Sequence, residues 1–339
     1  FVPPTTRLYF AFITLDLYLH FQQNIVSISP VVPLTVLPFN PVIVKNAVLP
    51  TPRDKFSCVG DMSNKIYCFA GQRLSSEAYR DILEYTPSID TLVKKNARFS
   101  NGQYSHSCAV YGSTSKIYCL GGVSGSGYAQ ITEYDVQNDL LTVKNAILSP
   151  GREGHSCASS TSTGDIYCFG GFSYPSLNQI VAYTPSTDTL TVKNAVLPSP
   201  RGRHSCVESS YNKKIYCFGG SFGFGIAFNS ILEYDPITDT LVAKNAILPV
   251  RITKLSCAEI SINKKIYCFG GNVDDIFASD KVFEYDPATD TLLQKNDVAL
   301  PSPREFLSCA SSSNINKLYC FGGSYNGGEL DQILEYTPS

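Results

Sequence analysis

The sequence contains six copies of one segment of about fifty residues, and each copy carries one pair of cysteines. The second cysteines of the pairs lie 51, 49, 49, 51 and 52 residues apart, at Cys68, Cys119, Cys168, Cys217, Cys268 and Cys320. A fixed period of this size indicates stacked modules, because one such module is too small to bury its own apolar face. The repeat therefore predicts one closed domain rather than two unrelated domains.

Each copy contains four short segments with the composition of β-strands. In the fourth copy these segments are residues 204–208, 214–218, 231–234 and 240–244, separated by Gly, Pro, Asn and Asp. Short strand signals with turn residues between them indicate an all-β fold. Four antiparallel strands per repeat are typical of one blade of a β-propeller.

The two ends of the chain complement each other. The sixth copy stops after its third strand, at residues 333–339, and the missing fourth strand with its Lys-Asn-Ala ending occurs at residues 41–50. We therefore expect residues 42–44 to pair with residues 333–336. This pairing predicts a six-bladed propeller over residues 41–339 that is closed by an N-terminal strand. Closure removes the free sheet edges that an open stack of blades would expose.

The repeat resembles the kelch family, whose modules carry a glycine pair after the second strand, a Tyr-Asp-Pro turn and an arginine before the first strand. The resemblance covers residues 42–339 and implies a kelch-type β-propeller. The matching glycine pairs follow Leu120, Phe169, Phe218, Phe269 and Phe321, with Ala70-Gly71 in the first copy, and the arginines are Arg53, Arg152, Arg201, Arg251 and Arg304. The tryptophan that the family places on the fourth strand is replaced by Leu92, Leu190, Leu241 and Leu292.

The cysteines of each pair are 11 residues apart in five copies and 10 apart in the first. Hairpin loops of four residues, or three in the first copy, put the two cysteines of every pair opposite each other, within disulfide range. Buried, reduced cysteines are the alternative. Six disulfides would indicate an oxidising compartment, and hence a secreted, extracellular or cell-surface protein. The predicted pairs are Cys58 with Cys68, Cys108 with Cys119, Cys157 with Cys168, Cys206 with Cys217, Cys257 with Cys268, and Cys309 with Cys320.

No residue pattern in the sequence indicates an enzyme, a metal site or another cofactor. The chain has 27 basic and 29 acidic residues, so its charge balance gives no sign of nucleic-acid binding. Three histidines occupy one equivalent position, at His106, His155 and His204, where we expect a structural role. Galactose-oxidase-like propellers have a similar architecture, but no motif here carries over their copper ligands.

Glutamates and lysines recur at equivalent positions of the repeats. We interpret the glutamates as partners of residues in the blade turns or in neighbouring blades, and the lysines as a solvated rim on the outermost strands. The glutamates are Glu84, Glu133, Glu233, Glu284 and Glu335, and the lysines are Lys45, Lys95, Lys144, Lys193, Lys244 and Lys295.

The loops between the second and third strands vary most among the copies, and each contains an aromatic residue. All six loops should leave the same face of the disc. Aromatic side chains on a variable face suit contact with a protein or a glycan, although each ring could instead pack within its own loop. The candidate binding residues are Tyr79, Tyr128, Tyr174, Phe222, Phe224, Phe228, Phe277 and Tyr325.

Residues 1–40 lie outside the repeat and form a separate predicted segment, an apolar extended β-arm. Polar residues alternate with one apolar face, which consists of Ala11, Ile13, Leu15, Leu17, Leu19 and Phe21. This alternation predicts a long half-buried strand, and the segment is too short and too polar for a transmembrane helix. The arm could fold back on its own propeller, or it could add to another copy of the chain and build a filament.

Together these features predict a non-enzymatic extracellular structural protein that self-associates through its arm as a homo-oligomer or filament. The alternative is a monomeric recognition module that binds protein or glycan through the aromatic loops.

Overall fold

The structure, a computed structural model, describes residues 41–73, 77–112, 114–124, 129–173, 175–223, 225–311 and 316–338. Within these ranges the protein is all-β, with six four-stranded antiparallel sheets, one short 3-10 turn at Pro87–Ile89 and no α-helix. None of the described residues belongs to a helix with the length and hydrophobicity that crossing a membrane requires. The predicted arm lies outside the described residues.

We label the sheets A to F and number the strands of each sheet from the innermost outwards. Sheet A consists of Ser57–Gly60, Ile66–Phe69, Asp81–Thr86 and Thr91–Arg98. Sheet B consists of Ser107–Val110, Lys116–Leu120, Ile131–Asp135 and Leu140–Val143. Sheet C consists of Ser156–Ser159, Ile166–Phe169, Gln179–Thr184 and Thr189–Val196. Sheet D consists of Ser205–Glu208, Ile215–Phe218, Ser230–Asp235 and Thr240–Ile247. Sheet E consists of Ser256–Ile260, Lys265–Phe269, Val282–Asp286 and Thr291–Gln294. Sheet F consists of Ser308–Ser311, Leu318–Phe321, Gln332–Tyr336 and Val42–Val48.

Strands of two residues lie in the segments that connect the main strands and the sheets. They are Gln72–Arg73, Glu77–Ala78, Gln103–Tyr104, Val123–Ser124, Ser221–Phe222, Ile226–Ala227, Ile252–Thr253, Asn272–Val273, Phe277–Ala278, Ser324–Tyr325 and Gly328–Glu329.

Sheet F is assembled from both ends of the repeat region. Its fourth strand, Val42–Val48, runs antiparallel to Gln332–Tyr336, with Val42 opposite Tyr336 and Val44 opposite Leu334. The pairing that we predicted from the complementary ends of the sequence is thus confirmed.

Neighbouring sheets pack face to face through aromatic side chains. A tyrosine on the third strand of each sheet contacts a tyrosine on the second strand of the preceding sheet, with ring centroids 5.3 to 5.8 Å apart. Aromatic pairs at these distances and tilts stabilise a fold by more than the burial of their surface area alone accounts for. The pairs are Tyr67–Tyr134, Tyr118–Tyr183, Tyr167–Tyr234, Tyr216–Tyr285, Tyr267–Tyr336 and, between sheets F and A, Tyr319–Tyr85. The leucines at the family's tryptophan position, such as Leu92 and Leu241, pack against the same clusters.

In each of sheets A to E, an aspartate in the turn after the third strand links the sheet to the preceding one through hydrogen bonds. We call this contact the aspartate latch. In sheet C, Asp188 accepts a hydrogen bond from the Tyr183 hydroxyl at 2.9 Å and another from the backbone N–H of Asn145 at 2.9 Å, just beyond the fourth strand of sheet B. Asp90, Asp139, Asp239 and Asp290 make the same two contacts. In sheet F, the buried Tyr336 hydroxyl has no partner among the described residues. Asn40, at the corresponding sequence position, lies outside them.

The recurring lysines do not form a solvated rim, and that prediction was wrong. Their side chains are only 13 to 22% exposed, because each reaches a carboxylate, which belongs to the same sheet for every lysine except Lys193. Lys244 lies 2.8 Å from Glu233, whose other oxygen contacts Lys214 at 2.8 Å. Burial raises the pKa of Glu233, but hydrogen bonds from the two lysines and Tyr216 outweigh it and hold this pKa at about 2. In sheet C, Ala182 replaces the glutamate and Lys193 lies 3.9 Å from Asp239 instead.

Six hydrogen bonds join the innermost strands of neighbouring sheets. The backbone N–H of the first cysteine of each sheet donates to the serine hydroxyl of the preceding sheet, at 2.8 to 2.9 Å. The serines are Ser57, Ser107, Ser156, Ser205, Ser256 and, between sheets F and A, Ser308. Each innermost strand is therefore bonded to the innermost strands of two other sheets.

The aspartate latch can be tested at Asp188, whose φ of 54° is in the left-handed region. Asp188→Ala removes the acceptor of a buried tyrosine and puts alanine in a strained backbone, so we expect a loss of about 2 kcal/mol or more in unfolding free energy. Asp188→Asn keeps an acceptor and tolerates this backbone, so it should cost clearly less. Denaturant titration measures both, and equal losses would contradict the latch.

Candidate functional site

All twelve cysteines are paired in six disulfides. Each bond joins the first and second strands of one sheet, between residues directly opposite each other, with Cα atoms 4.0 to 4.1 Å apart. The bonded pairs are those expected from the hairpin register.

The three repeated histidines lie beside these disulfides. The ligand atoms of His106, Cys108 and Cys119 lie within 4.8 Å of one another, as do those of the equivalent groups in sheets C and D. The sulfurs of each group are bonded to each other, so these groups offer no thiolate to a metal ion. Burial lowers the pKa of His106 to about 4 and that of His204 to about 3, which keeps both imidazoles neutral. These histidines are core residues.

Buried arginines anchor the chain where it leaves the second strand. Arg201 donates to the carbonyl of Gly219 at 3.3 Å, and the equivalent bonds run from Arg53, Arg152 and Arg304 to Ala70, Gly170 and Gly322. The next residue, Gly220, has φ +90°, and a Cβ there would lie 2.7 Å from the Cβ of His204. The arginine and the glycine pair thus form one corner that fixes the start of each loop.

Two repeats build this corner differently. In sheet E the buried Ile252 occupies the arginine's position and Arg251 is exposed, so the assignment of Arg251 to the motif was wrong. The repeat of sheet B has Gln103 there, and its amide donates to the Gly121 carbonyl at 2.7 Å.

Six residues with left-handed backbone, one before each innermost strand, line a common cavity, and we call this group of residues the mouth. Each N–H donates to the carbonyl of the equivalent residue in the preceding repeat, at 2.6 to 3.3 Å. They line a cavity of about 110 Å³ together with the buried histidines. The mouth residues are Lys55, Ser105, Gly154, Arg203, Lys254 and Phe306, with φ between 52° and 60°.

On one side of the mouth, the ammonium groups of two lysines contact an aromatic ring, and one of them also pairs with carboxylates. The Lys55 ammonium lies 5.0 Å from the centroid of the Phe306 ring, and the Lys254 ammonium lies 5.1 Å from it. Lys254 also pairs with Asp275 at 3.1 Å and with Glu305 at 3.2 Å. These residues were not predicted as a site. A sequence signal exists, since each mouth residue stands three positions before the first cysteine of its repeat.

The candidate aromatic residues fall into two groups. Tyr79 and Phe228 stack on the buried arginines Arg53 and Arg201, with the guanidinium carbons 4.3 and 4.2 Å from the ring centroids. The rings of Phe222, Phe277 and Tyr325 are instead exposed, by 44, 70 and 38%. Tyr128, Tyr174 and Phe224 lie outside the described residues.

The exposed rings belong to three consecutive repeats, those of sheets D, E and F. Two further apolar side chains in the same loops, Ile226 and Ile276, are exposed by 54 and 67%. The loops also touch, because the backbone N–H of Gly225 donates to Asp275 at 3.3 Å. The described part of the loop face is therefore most apolar over sheets D to F.

A family model of the Kelch motif matches residues 200–240, which contain the first three strands of sheet D. The all-strand structure agrees with a kelch-type propeller. Comparison of the whole chain with curated proteins found no match.

The distinction between aromatic rings that stack on buried arginines and rings that are exposed can be tested by a matched pair of substitutions. Phe228→Ala removes a ring stacked on a buried guanidinium, and we expect a loss of about 1–3 kcal/mol in unfolding free energy. Phe277→Ala removes an exposed ring and should change stability by about 0.5 kcal/mol or less. Thermal unfolding of the two variants measures this, and a larger loss for Phe277→Ala would contradict the assignment.

Proposed function

We propose that this protein is a non-enzymatic extracellular interaction module, a disulfide-linked six-bladed propeller that binds a protein partner through the loops of sheets D to F. The observation that carries the proposal is the set of exposed apolar side chains on those loops, Phe222, Ile226, Ile276, Phe277 and Tyr325. Exposed apolar groups on one face are typical of protein contact sites. The Kelch motif supports the same function, because kelch propellers generally act in protein interaction.

Three repeated contacts support closure of the six sheets into one ring. The tyrosine pairs, the serine hydrogen bonds and the backbone bonds of the mouth residues all recur between sheets F and A, at Tyr319–Tyr85, Ser308–Cys58 and Phe306–Lys55. An open stack would lack these contacts at its ends. The fourth strand of sheet F, supplied by the N-terminal part of the repeat region, supports closure as well.

The chemistry of the recurring glutamates supports a non-enzymatic role. Glu133 is bonded to Lys116, Lys144 and Tyr118. Burial raises its pKa, but these bonds outweigh the effect and hold the pKa at about 2, so at neutral pH the carboxylate is a fixed ion-pair partner. Six disulfides support residence in an oxidising compartment, and therefore secretion or display on a surface.

The loop face can be tested with two triple variants. The loops between second and third strands leave the sheets at the opposite end from the connections between first and second and between third and fourth strands. We expect Phe222→Ser, Phe277→Ser and Tyr325→Ser together to lose the extracellular proteins that the wild type enriches in quantitative pull-downs. A matched variant of exposed residues at the other end, Met62→Ser, Ile237→Ser and Ile262→Ser, should retain them. Equal enrichment by both variants would contradict the proposal, and a glycan array checks whether the face binds saccharides instead.

We also propose that the arm of residues 1–40 mediates self-association into oligomers or filaments. The proposal is based on the strict alternation of its apolar residues, since burying each large side chain is worth about 1.5–3 kcal/mol. An extended apolar strand can bind the edge of another copy by strand addition.

Deletion of residues 1–40 should convert assemblies of the full-length chain into folded monomers. Light scattering after size exclusion and electron microscopy measure this. In the full-length chain, Leu15→Asp with Leu17→Asp should have the same effect because both charges fall on the apolar face, whereas Thr14→Ser with Tyr18→Ser should not. Assemblies that persist without the arm would contradict its role. A crystal structure of the truncated chain would test the closed six-bladed ring.

A further inference from the structure

The fourth strand of each sheet is an outer edge, because within the described residues it pairs only with the third strand of the same sheet. Every one of these edge strands exposes at least one Val, Ile or Leu side chain, for example Val93 in sheet A, Val192 in sheet C and Leu293 in sheet E. Exposed apolar side chains that lie together are typical of contact sites. The proposed binding loops do not include these side chains, so they call for a separate explanation.

The edge strand of sheet C, Thr189–Val196, lacks the usual protection of an edge. Natural edge strands are often short, charged or interrupted by proline, which prevents another strand from pairing with them. This strand has eight residues, contains no proline and no acidic residue, and carries one charge, on Lys193. The Lys193 side chain is only 22% exposed and lies 3.9 Å from Asp239. The side chains that face solvent include Val192 and Val196, which are exposed by 57 and 49%.

The edges of the other sheets are shorter, more charged, less apolar or already joined to another segment. The edge strands of sheets B and E have only four residues each. Sheet A carries Lys94 and Arg98 on its edge, and the Lys94 side chain is 65% exposed. Sheet D has the small Ala243 at the position of Val192. In sheet F the edge strand is the direct continuation of the arm of its own chain. Sheet C therefore has the edge best suited to receive another strand.

The first part of this edge strand is also open along its backbone. Asp239 accepts hydrogen bonds from the backbone N–H groups of Asn194 and Ala195, at 2.8 and 3.4 Å, so it occupies the later part of the strand. Among the described residues, no neighbouring sheet bonds to the backbone of residues 189–193. An edge strand presents N–H and C=O groups on its free side, and an added strand can pair with them. Residues 189–193 can therefore accept a strand, and Val196 adds an apolar contact beyond the latch.

The arm of residues 1–40 has the chemistry and the point of attachment that such an edge requires. It joins the described residues just before Val42–Val48, which is itself an outer edge strand. Its apolar row from Ala11 to Phe21 can cover exposed valines, while polar residues such as Thr14 and His20 occupy its other face. Residues 22–40 can span about 65 Å when they are extended, so the apolar row can reach a second copy of the chain.

We propose that the alternating segment of the arm, residues 8–21, adds as a strand to the outer edge of sheet C in a second copy of the chain. The inference rests on the proposed self-association of the arm and names the surface that receives it. In the proposed closed ring, sheet C stands three places from sheet F in either direction, so the edge that donates the arm and the edge that accepts it lie on opposite sides. A head-to-tail contact between opposite sides repeats without closing, and it builds a filament.

The acceptor edge can be tested by placing charges on it in the full-length chain. Val192→Lys with Val196→Lys should raise the concentration needed for assembly by about tenfold or more, because an added strand would take two unpaired charges out of water. The matched control is Val143→Lys with Ile147→Lys, at the equivalent positions of sheet B, where both side chains are also exposed. The control should assemble as the wild type does. Light scattering over a dilution series measures assembly, and an equal effect of the two variants, or no effect in sheet C, would overturn the assignment.

Cross-linking locates the contact without changing the acceptor edge. Benzoylphenylalanine in place of Leu15 is photoactivated in a mixture of isotope-labelled and unlabelled full-length chains, and mass spectrometry identifies the joined peptides. We expect cross-links from the arm to the peptide that contains residues 189–196, including pairs of a labelled with an unlabelled chain. Cross-links found only within one chain would overturn the proposal, because the arm would then pack on its own propeller. Cross-links to the loops of sheets D to F would overturn it as well.

The same experiments separate this inference from the proposed role of the arm. If deletion of residues 1–40 abolishes assembly but the sheet C variant assembles normally, the arm mediates self-association and its acceptor is a different surface. If assemblies persist after the deletion, both the role of the arm and the acceptor edge are wrong. Full-length chains that stay monomeric at every concentration would overturn both as well.

Discussion

Each sheet of this protein has apolar side chains on both faces, and a segment of fifty residues cannot cover them both. The solution is to place the sheets face to face, so that the third-strand tyrosine of one sheet lies on the second-strand tyrosine of its neighbour. The remainder of the structure follows from this contact. Strand lengths, turn residues and the corner at the second strand all serve to bring equivalent side chains into the same position six times.

The repeated sequence motifs can be explained as parts of that contact. The turn aspartate accepts the hydroxyl of the stacked tyrosine and also a backbone N–H of the preceding repeat, so one residue satisfies a buried donor and ties two sheets together. The arginine before the first strand binds the carbonyl at the end of the second strand, where the glycine pair lets the chain turn beside a buried histidine. Leucine stands at the family's tryptophan position, where Leu241 packs against the cluster that contains Tyr167 and Tyr234.

The copies of the repeat differ most in the loops between the second and third strands. Disulfides, serine bonds and mouth bonds engage the innermost strands in every repeat, so these strands are poor places for adaptation. The loops of sheets D to F instead expose rings such as Phe277.

Much of the fold could be predicted from the sequence, whereas the site could be predicted only in outline. The aromatic loops were identified as a group, but their composition did not separate Tyr79, which stacks on Arg53, from Tyr325, which is exposed. The lysines on the fourth strands had the appearance of a solvated rim, yet they reach carboxylates on the third strands. In both cases the exposure of a flexible side chain depends on which neighbouring group it contacts in the folded protein. The spacing of residues in the sequence does not determine that contact.

The sequence by itself determined the number of sheets, the cysteine pairs and the strand that completes sheet F. These features depend on hairpin register and on a period, which are local and repeated, so they can be read without knowing the packing. The tertiary structure alone decided the set of left-handed mouth residues and the exposed side of the loop face. Each of these depends on contacts between residues about fifty positions apart, or between the two ends of the repeat region, and such contacts exist only once the sheets are packed.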